Sequence, residues 1–105
     1  MIPWLQGDSA MPFELKLRRI WSARRWKAKI RDREGPEEPH VSLIRGTRTW
    51  RLSLRTAGFL DCVPPPGEVP VELLREICLR LAVLRSAWDR IHPENPVRER
   101  EDADA

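Results

Sequence analysis

Cysteine and histidine are too scarce in this chain to build a covalent or metal-bound scaffold. There are two cysteines, Cys62 and Cys78, separated by fifteen residues and not forming a C-x-x-C pair. That argues against both a disulfide framework and a zinc knuckle and makes a reducing, cytoplasmic setting the expectation. The two histidines, His40 and His92, complete a two-Cys, two-His set whose spacing fits no zinc pattern, so no metal and no other cofactor is expected. Long apolar runs are missing too. None approaches the eighteen or so residues of a membrane helix, and no basic-then-apolar leader opens the sequence, so a soluble protein without membrane contact is expected. No constellation of residues forms a recognised catalytic signature.

What the chain does have is arginine. Sixteen arginines stand against three lysines, and residues 13–56 hold thirteen bases and five acids, a balance of +8. Residues 57–105 sum to −4, and Asp8 brings the total to +3. A basic half followed by an acidic half favours either an anionic partner for the first or packing of one half against the other. Arginine suits bidentate contacts with phosphate or carboxylate, although GC-rich codons would produce the same excess.

At 105 residues the chain is long enough for one small α+β domain with a thin core. Residues 1–12 carry Pro3, Gly7 and Pro12 without sustained periodicity and read as an N-terminal extension, with Met11 a candidate start. Phe13, Leu15 and Leu17 alternate with charged residues, as do Trp26, Ala28 and Ile30, which predicts a first hairpin. Its connection, Ser22-Ala23-Arg24-Arg25, lacks glycine, and a β-bulge near Arg18-Arg19 is needed to keep Arg19 out of the core. Gly35-Pro36 and Pro39 mark a loop. Gly46-Thr47 then predicts a tight turn pairing Arg45 with Arg48, Leu43 with Trp50 and Val41 with Leu52.

Pro64-Pro65-Pro66-Gly67 is a stiff spacer. From Pro70 to His92, Leu74, Ile77, Cys78, Leu81, Leu84, Trp88 and Ile91 recur on one helical face, predicting about 33 Å of continuous helix across the sheet. Glu76 with Arg80 and Arg85 with Asp89 are spaced as i,i+4 pairs on its flanks. The expected architecture is therefore a four-stranded antiparallel sheet of two hairpins, β-β-β-β-α, with one long C-terminal helix on one face. The domain spans residues 13–92 and a flexible polar tail residues 93–105.

Period-two alternation places Lys16, Arg18, Lys27, Lys29, Arg31, Arg51 and Arg55 together on the sheet face opposite the helix. That face could hold RNA, DNA or an acidic partner protein, or simply be solvated. Of the five tryptophans, Trp26, Trp50 and Trp88 fall on inward positions, leaving Trp21 as the ring best placed to stack on a base. His40, where a loop meets an arginine-rich sheet, is the one candidate for a general acid or base in metal-independent RNA cleavage. His92 is read as a charge complementing the helix end. Leu79 and Val83 lie off the apolar stripe and would mark a contact with a second chain, as in a homo-oligomer, unless their exposure is incidental.

The run Glu37-Glu38-Pro39-His40-Val41-Ser42-Leu43, with the glycine hairpin after it, Pro-Val-Glu-Leu-Leu-Arg-Glu-Ile at residues 70–77 and Ala87-Trp88-Asp89, resembles a small bacterial family without an assigned biochemical function. Its members have a P-P-H-V-H-V-like strand and a C-terminal helix, and are often encoded in toxin–antitoxin-like gene pairs. Glu38 departs from the first proline of that pattern and Ser42 from the second histidine. The resemblance implies a gene-pair component directed at nucleic acid or at an acidic partner. A plain protein-interaction subunit and a ribonuclease using His40 are the alternatives.

Overall fold

The computed structural model describes residues 12–34 and 36–98. Most of the expected N-terminal extension, with Trp4 and Met11, and the last residues of the tail lie outside the described residues. Four strands, β1 (Phe13–Leu15), β2 (Trp26–Ile30), β3 (His40–Arg45) and β4 (Arg48–Ser53), form one antiparallel sheet in sequence order. Among the described residues three α-helices accompany it: α1 (Arg19–Ala23), α2 (Val71–Leu79) and α3 (Leu81–Ile91). The α+β architecture and both strand pairings are as expected. No helix among the described residues is long and apolar enough to cross a membrane.

Alternation sets the register. Phe13 opposes Ile30, Leu15 opposes Ala28, and Ala28 in turn opposes Leu43, which opposes Trp50. A continuous apolar face results, and it joins Leu73, Ile77, Leu84, Ala87, Trp88 and Ile91 of α2 and α3 in one core. Gly46 has φ +66 while Thr47 stays at negative φ. This is the geometry that a two-residue hairpin turn with glycine first requires.

The first connection differs from expectation. Instead of a bulge, the chain between β1 and β2 makes the short helix α1, which leaves Arg19 and Ile20 exposed and turns Trp21 inward. Arg25, at φ +70, then redirects the chain into β2.

The long helix also differs. At Arg80 (φ −111, ψ 17) the helix breaks into α2 and α3. On α2 Ile77 is buried as the stripe requires, but Leu73 is buried too, Leu74 only partly, and Cys78 is exposed, contrary to the single-stripe reading. The flank pairs are replaced as well. Glu76 bonds to Arg18, Arg85 donates to the Leu54 carbonyl, and Asp89 accepts from the Val97 backbone.

The proline-rich spacer is strapped to the sheet, since Trp50 Nε1 donates to the Pro65 carbonyl and Arg48 meets Glu68 at 2.7 Å. Residues 93–97, expected to belong to a flexible tail, pack against the domain. Val97 is buried, and Trp88 Nε1 donates to the Asn95 carbonyl at 2.7 Å.

Candidate anion-binding end of the sheet and the His40 cluster

The alternation correctly separates inward Trp26, Ala28 and Ile30 from outward Lys27, Lys29 and Arg31. The charges on the outer side nevertheless do not add up to an open basic face. Arg51 is held by Asp61 at 2.7 and 2.8 Å and by Glu37 at 2.9 Å. Its guanidinium keeps the Asp61 carboxyl below the usual carboxylate range. Arg55 donates to the Val97 and Pro96 carbonyls, and Arg18 is bound to Glu76. Lys29 lies 4.0 Å from Glu14 and Arg31 3.9 Å from Glu34. Ser42 and Ser53, on the same side of the strands, are buried. Of the seven residues expected there, Lys16 and Lys27 alone are exposed with no carboxylate within 4 Å among the described residues.

Unpaired positive charge collects instead at the end of the sheet where α1 meets the β3–β4 turn. The register aligns Trp26 with Arg45 and Arg45 with Arg48, two like charges directly opposite each other, which is unfavourable unless relieved. Stacking and Glu68 provide the relief. The Arg45 guanidinium lies 5.7 Å from the Trp26 ring and that of Arg48 5.4 Å from Trp50, while the two indoles are 5.2 Å apart. Arg24 lies over Trp21 at 5.9 Å, and Arg45 Nε donates to the Arg24 carbonyl at 3.1 Å, tying α1 to the sheet. Arg24, Arg25, Lys27 and Arg45 are all exposed, and none has an acidic partner among the described residues. Two shallow clefts meet at Ser22, one bordered by Glu14, Lys16 and Trp26, the other by Arg25, Lys27 and Gly46. The Arg24-Arg25 pair and the opposed Arg45 and Arg48 were visible in the sequence, but as turn residues rather than as a patch.

Trp21 is not a stacking platform. The residue is 3% exposed and its Nε1 donates to Glu76 Oε1 at 3.0 Å. Burial alone would discourage ionisation of Glu76. The Arg18 guanidinium and backbone N–H, with the Trp21 indole, outweigh it and hold the carboxyl below its ordinary value.

His40 cannot act on a phosphodiester from where it sits, because its side chain is fully buried. Nδ1 is 2.8 Å from the Glu38 carbonyl, and Nε2 is 3.1 Å from Glu34 Oε1 and 3.9 Å from Glu37 Oε1. Trp88 closes another side, with ring centroids 5.6 Å apart. Burial works against the charged ring, but Glu34 and the Glu38 carbonyl, with Glu37, prevail and raise its pKa. The ring in turn lowers that of Glu34.

His92 is likewise buried, its Nε2 2.8 Å from the Arg31 carbonyl. It packs against Trp88, so its main role is in the core rather than at an exposed helix end. Cys62 and Cys78 are exposed thiols, so the two-Cys, two-His set mixes exposed and buried side chains. Leu79 and Val83 are 79% and 42% exposed, as their position off the stripe required. No family model, curated protein or solved structure matches the chain.

Proposed function

We propose that this chain is a non-enzymatic nucleic-acid-binding module that takes the phosphate backbone at the α1 end of its sheet. The observation that supports this most is the convergence of Arg24, Arg25, Lys27 and Arg45, with Lys16 beside Glu14 across the Ser22 clefts, and no carboxylate within 4 Å of any of these cations among the described residues. Arg24 and Arg45, stacked on indoles, are held in place while their terminal N–H groups face no carboxylate among the described residues, which lowers the ordering cost of binding phosphate oxygens. The reading keeps the nucleic-acid expectation but moves it from the sheet face to the sheet end. It does not depend on the gene-pair role that the resemblance implied.

Four to five phosphate contacts predict a log–log salt slope near −3 for a single strand, or a loss of roughly 50-fold in affinity between 50 and 200 mM salt. Fluorescence anisotropy with a labelled single-stranded RNA 20-mer measures it. Combined Lys16→Glu, Arg24→Glu and Lys27→Glu should weaken binding at least ~10-fold, whereas Lys29→Gln with Arg31→Gln should leave it nearly unchanged. Salt-independent binding, or a triple reversal without effect, overturns the reading. Failure to bind RNA together with salt-sensitive capture of an acidic protein assigns the patch to a protein partner.

A further inference from the structure

The loop joining β2 to β3 turns three electron-pair donors toward one point. Glu34, Glu37 and His40 follow one another at intervals of three, E-x-x-E-x-x-H, and each offers one ligand atom within 4.8 Å of the other two. His40 is the anchored member. The Glu38 carbonyl can only accept a hydrogen bond, so the 2.8 Å contact places a proton on Nδ1 and leaves the lone pair of the neutral ring on Nε2. Nε2 is aimed at the two carboxylates.

Although Nε2 and Glu34 Oε1 approach to 3.1 Å, both atoms are buried and neither has a hydrogen-bond partner of acceptable geometry. Buried polar atoms are almost always satisfied, and two such orphans facing each other beside a third acceptor are relieved by positive charge between them. A proton on Nε2 can serve one carboxylate. A divalent ion serves all three groups.

We propose that Glu34, Glu37 and His40 bind a borderline divalent transition ion, with Zn²⁺ the expected occupant. An imidazole nitrogen with two carboxylates suits Zn²⁺, whereas Mg²⁺ and Ca²⁺ favour all-oxygen sites. The surroundings match those of a ligating histidine, whose second ring nitrogen commonly donates to a backbone carbonyl. Glu37 is oriented by Arg51 Nη1 at 2.9 Å, and Arg51 is itself neutralised by Asp61, which limits its repulsion of a cation. Arg31, at 3.9 Å, touches the other oxygen of Glu34. Bonds of about 2.0–2.2 Å imply donor separations near 3.3 Å, so the Nε2–Glu34 pair already fits, the 3.9 Å pair must close by about half an ångström, and the two carboxylates, which lie within 4.8 Å of each other, must draw together around the ion. Glu37 is the exposed member and provides the route by which an ion and a completing water enter.

The test is isothermal titration of the full chain with Zn²⁺ after chelator treatment, in a Cys62→Ser, Cys78→Ser background that removes thiol binding. Co²⁺ absorption in the visible serves as a second reading of coordination. One ion per chain is expected, with a rise in Tm on saturation, no comparable effect of Mg²⁺, and at least a ~10-fold loss of affinity in both Glu34→Gln and Glu37→Gln. Glu37→Gln alters an exposed side chain and keeps the test decisive if the Glu34 variant folds poorly. Absence of one-to-one Zn²⁺ binding in the titration, or binding that Glu37→Gln leaves intact, overturns the proposal.

Discussion

Replacing Glu76 by alanine should destabilise the fold far more than removing its most obvious partner, Arg18. One Glu76 oxygen accepts from Arg18 Nε at 2.7 Å and Trp21 Nε1 at 3.0 Å, and the other accepts from the Arg18 backbone at 3.0 Å. The Arg18 side chain is 64% exposed, so the ion pair itself is screened and contributes at most about 0.5 kcal/mol. The indole N–H is different. Trp21 is buried, so without Glu76 its donor is stranded at a cost of about 1–3 kcal/mol. An alanine on α2 returns a few tenths through helix propensity. The net expectation is about 2 kcal/mol for Glu76→Ala, or roughly 8–16 °C in Tm, and under 1 kcal/mol for Arg18→Ala.

Urea denaturation followed by tryptophan fluorescence measures both, and acid adds a check of sign. The pKa of Glu76 is depressed in the folded state, so its charge contributes stability above the ordinary carboxylate value and loses it as the pH falls through the folded value. The gap between wild type and Glu76→Ala should therefore be full at pH 7 and narrow on acidification. A Glu76→Ala variant within about 0.5 kcal/mol of wild type, or an Arg18→Ala variant equally damaged, would refute the account of Trp21 as a tethered core residue.

Two further outcomes follow from the break at Arg80 and the faces it exposes. Both Cys62 and Cys78 should react with a thiol reagent in the native protein; one reactive thiol before unfolding would mean that Cys78 faces the core after all. Leu79→Asp with Val83→Asp should change stability by no more than about 0.5 kcal/mol, because neither side chain is in the core. A change in sedimentation coefficient with that pair would identify the helix as a homo-oligomer contact, and an unchanged one would make the exposure incidental.

The β3–β4 hairpin was legible because three local facts agree: a glycine where the turn needs positive φ, apolar residues paired across it, and alternation on both sides. The first connection was not, because α1 has neither a side-chain N-cap nor an acid in its first turn. The helix break was hidden for a related reason, since no glycine or proline marks Arg80. Periodicity assigns a residue to a face but says nothing about what neutralises it. Asp61 lies ten positions from Arg51 and Glu76 fifty-eight from Arg18, so the pairs that dismantle the expected basic face are invisible to a window of one strand.

The same limit explains His40. Gly35-Pro36 and Pro39 read correctly as strand breakers, yet only the folded loop brings Glu34 and Glu37 back onto the ring. The positive charge that survives lies around a turn and a short helix with no acid in its first turn. The basic stretch thus divides by neighbour rather than by strand face, with paired arginines holding the structure and a cluster of unpaired ones left at the sheet end.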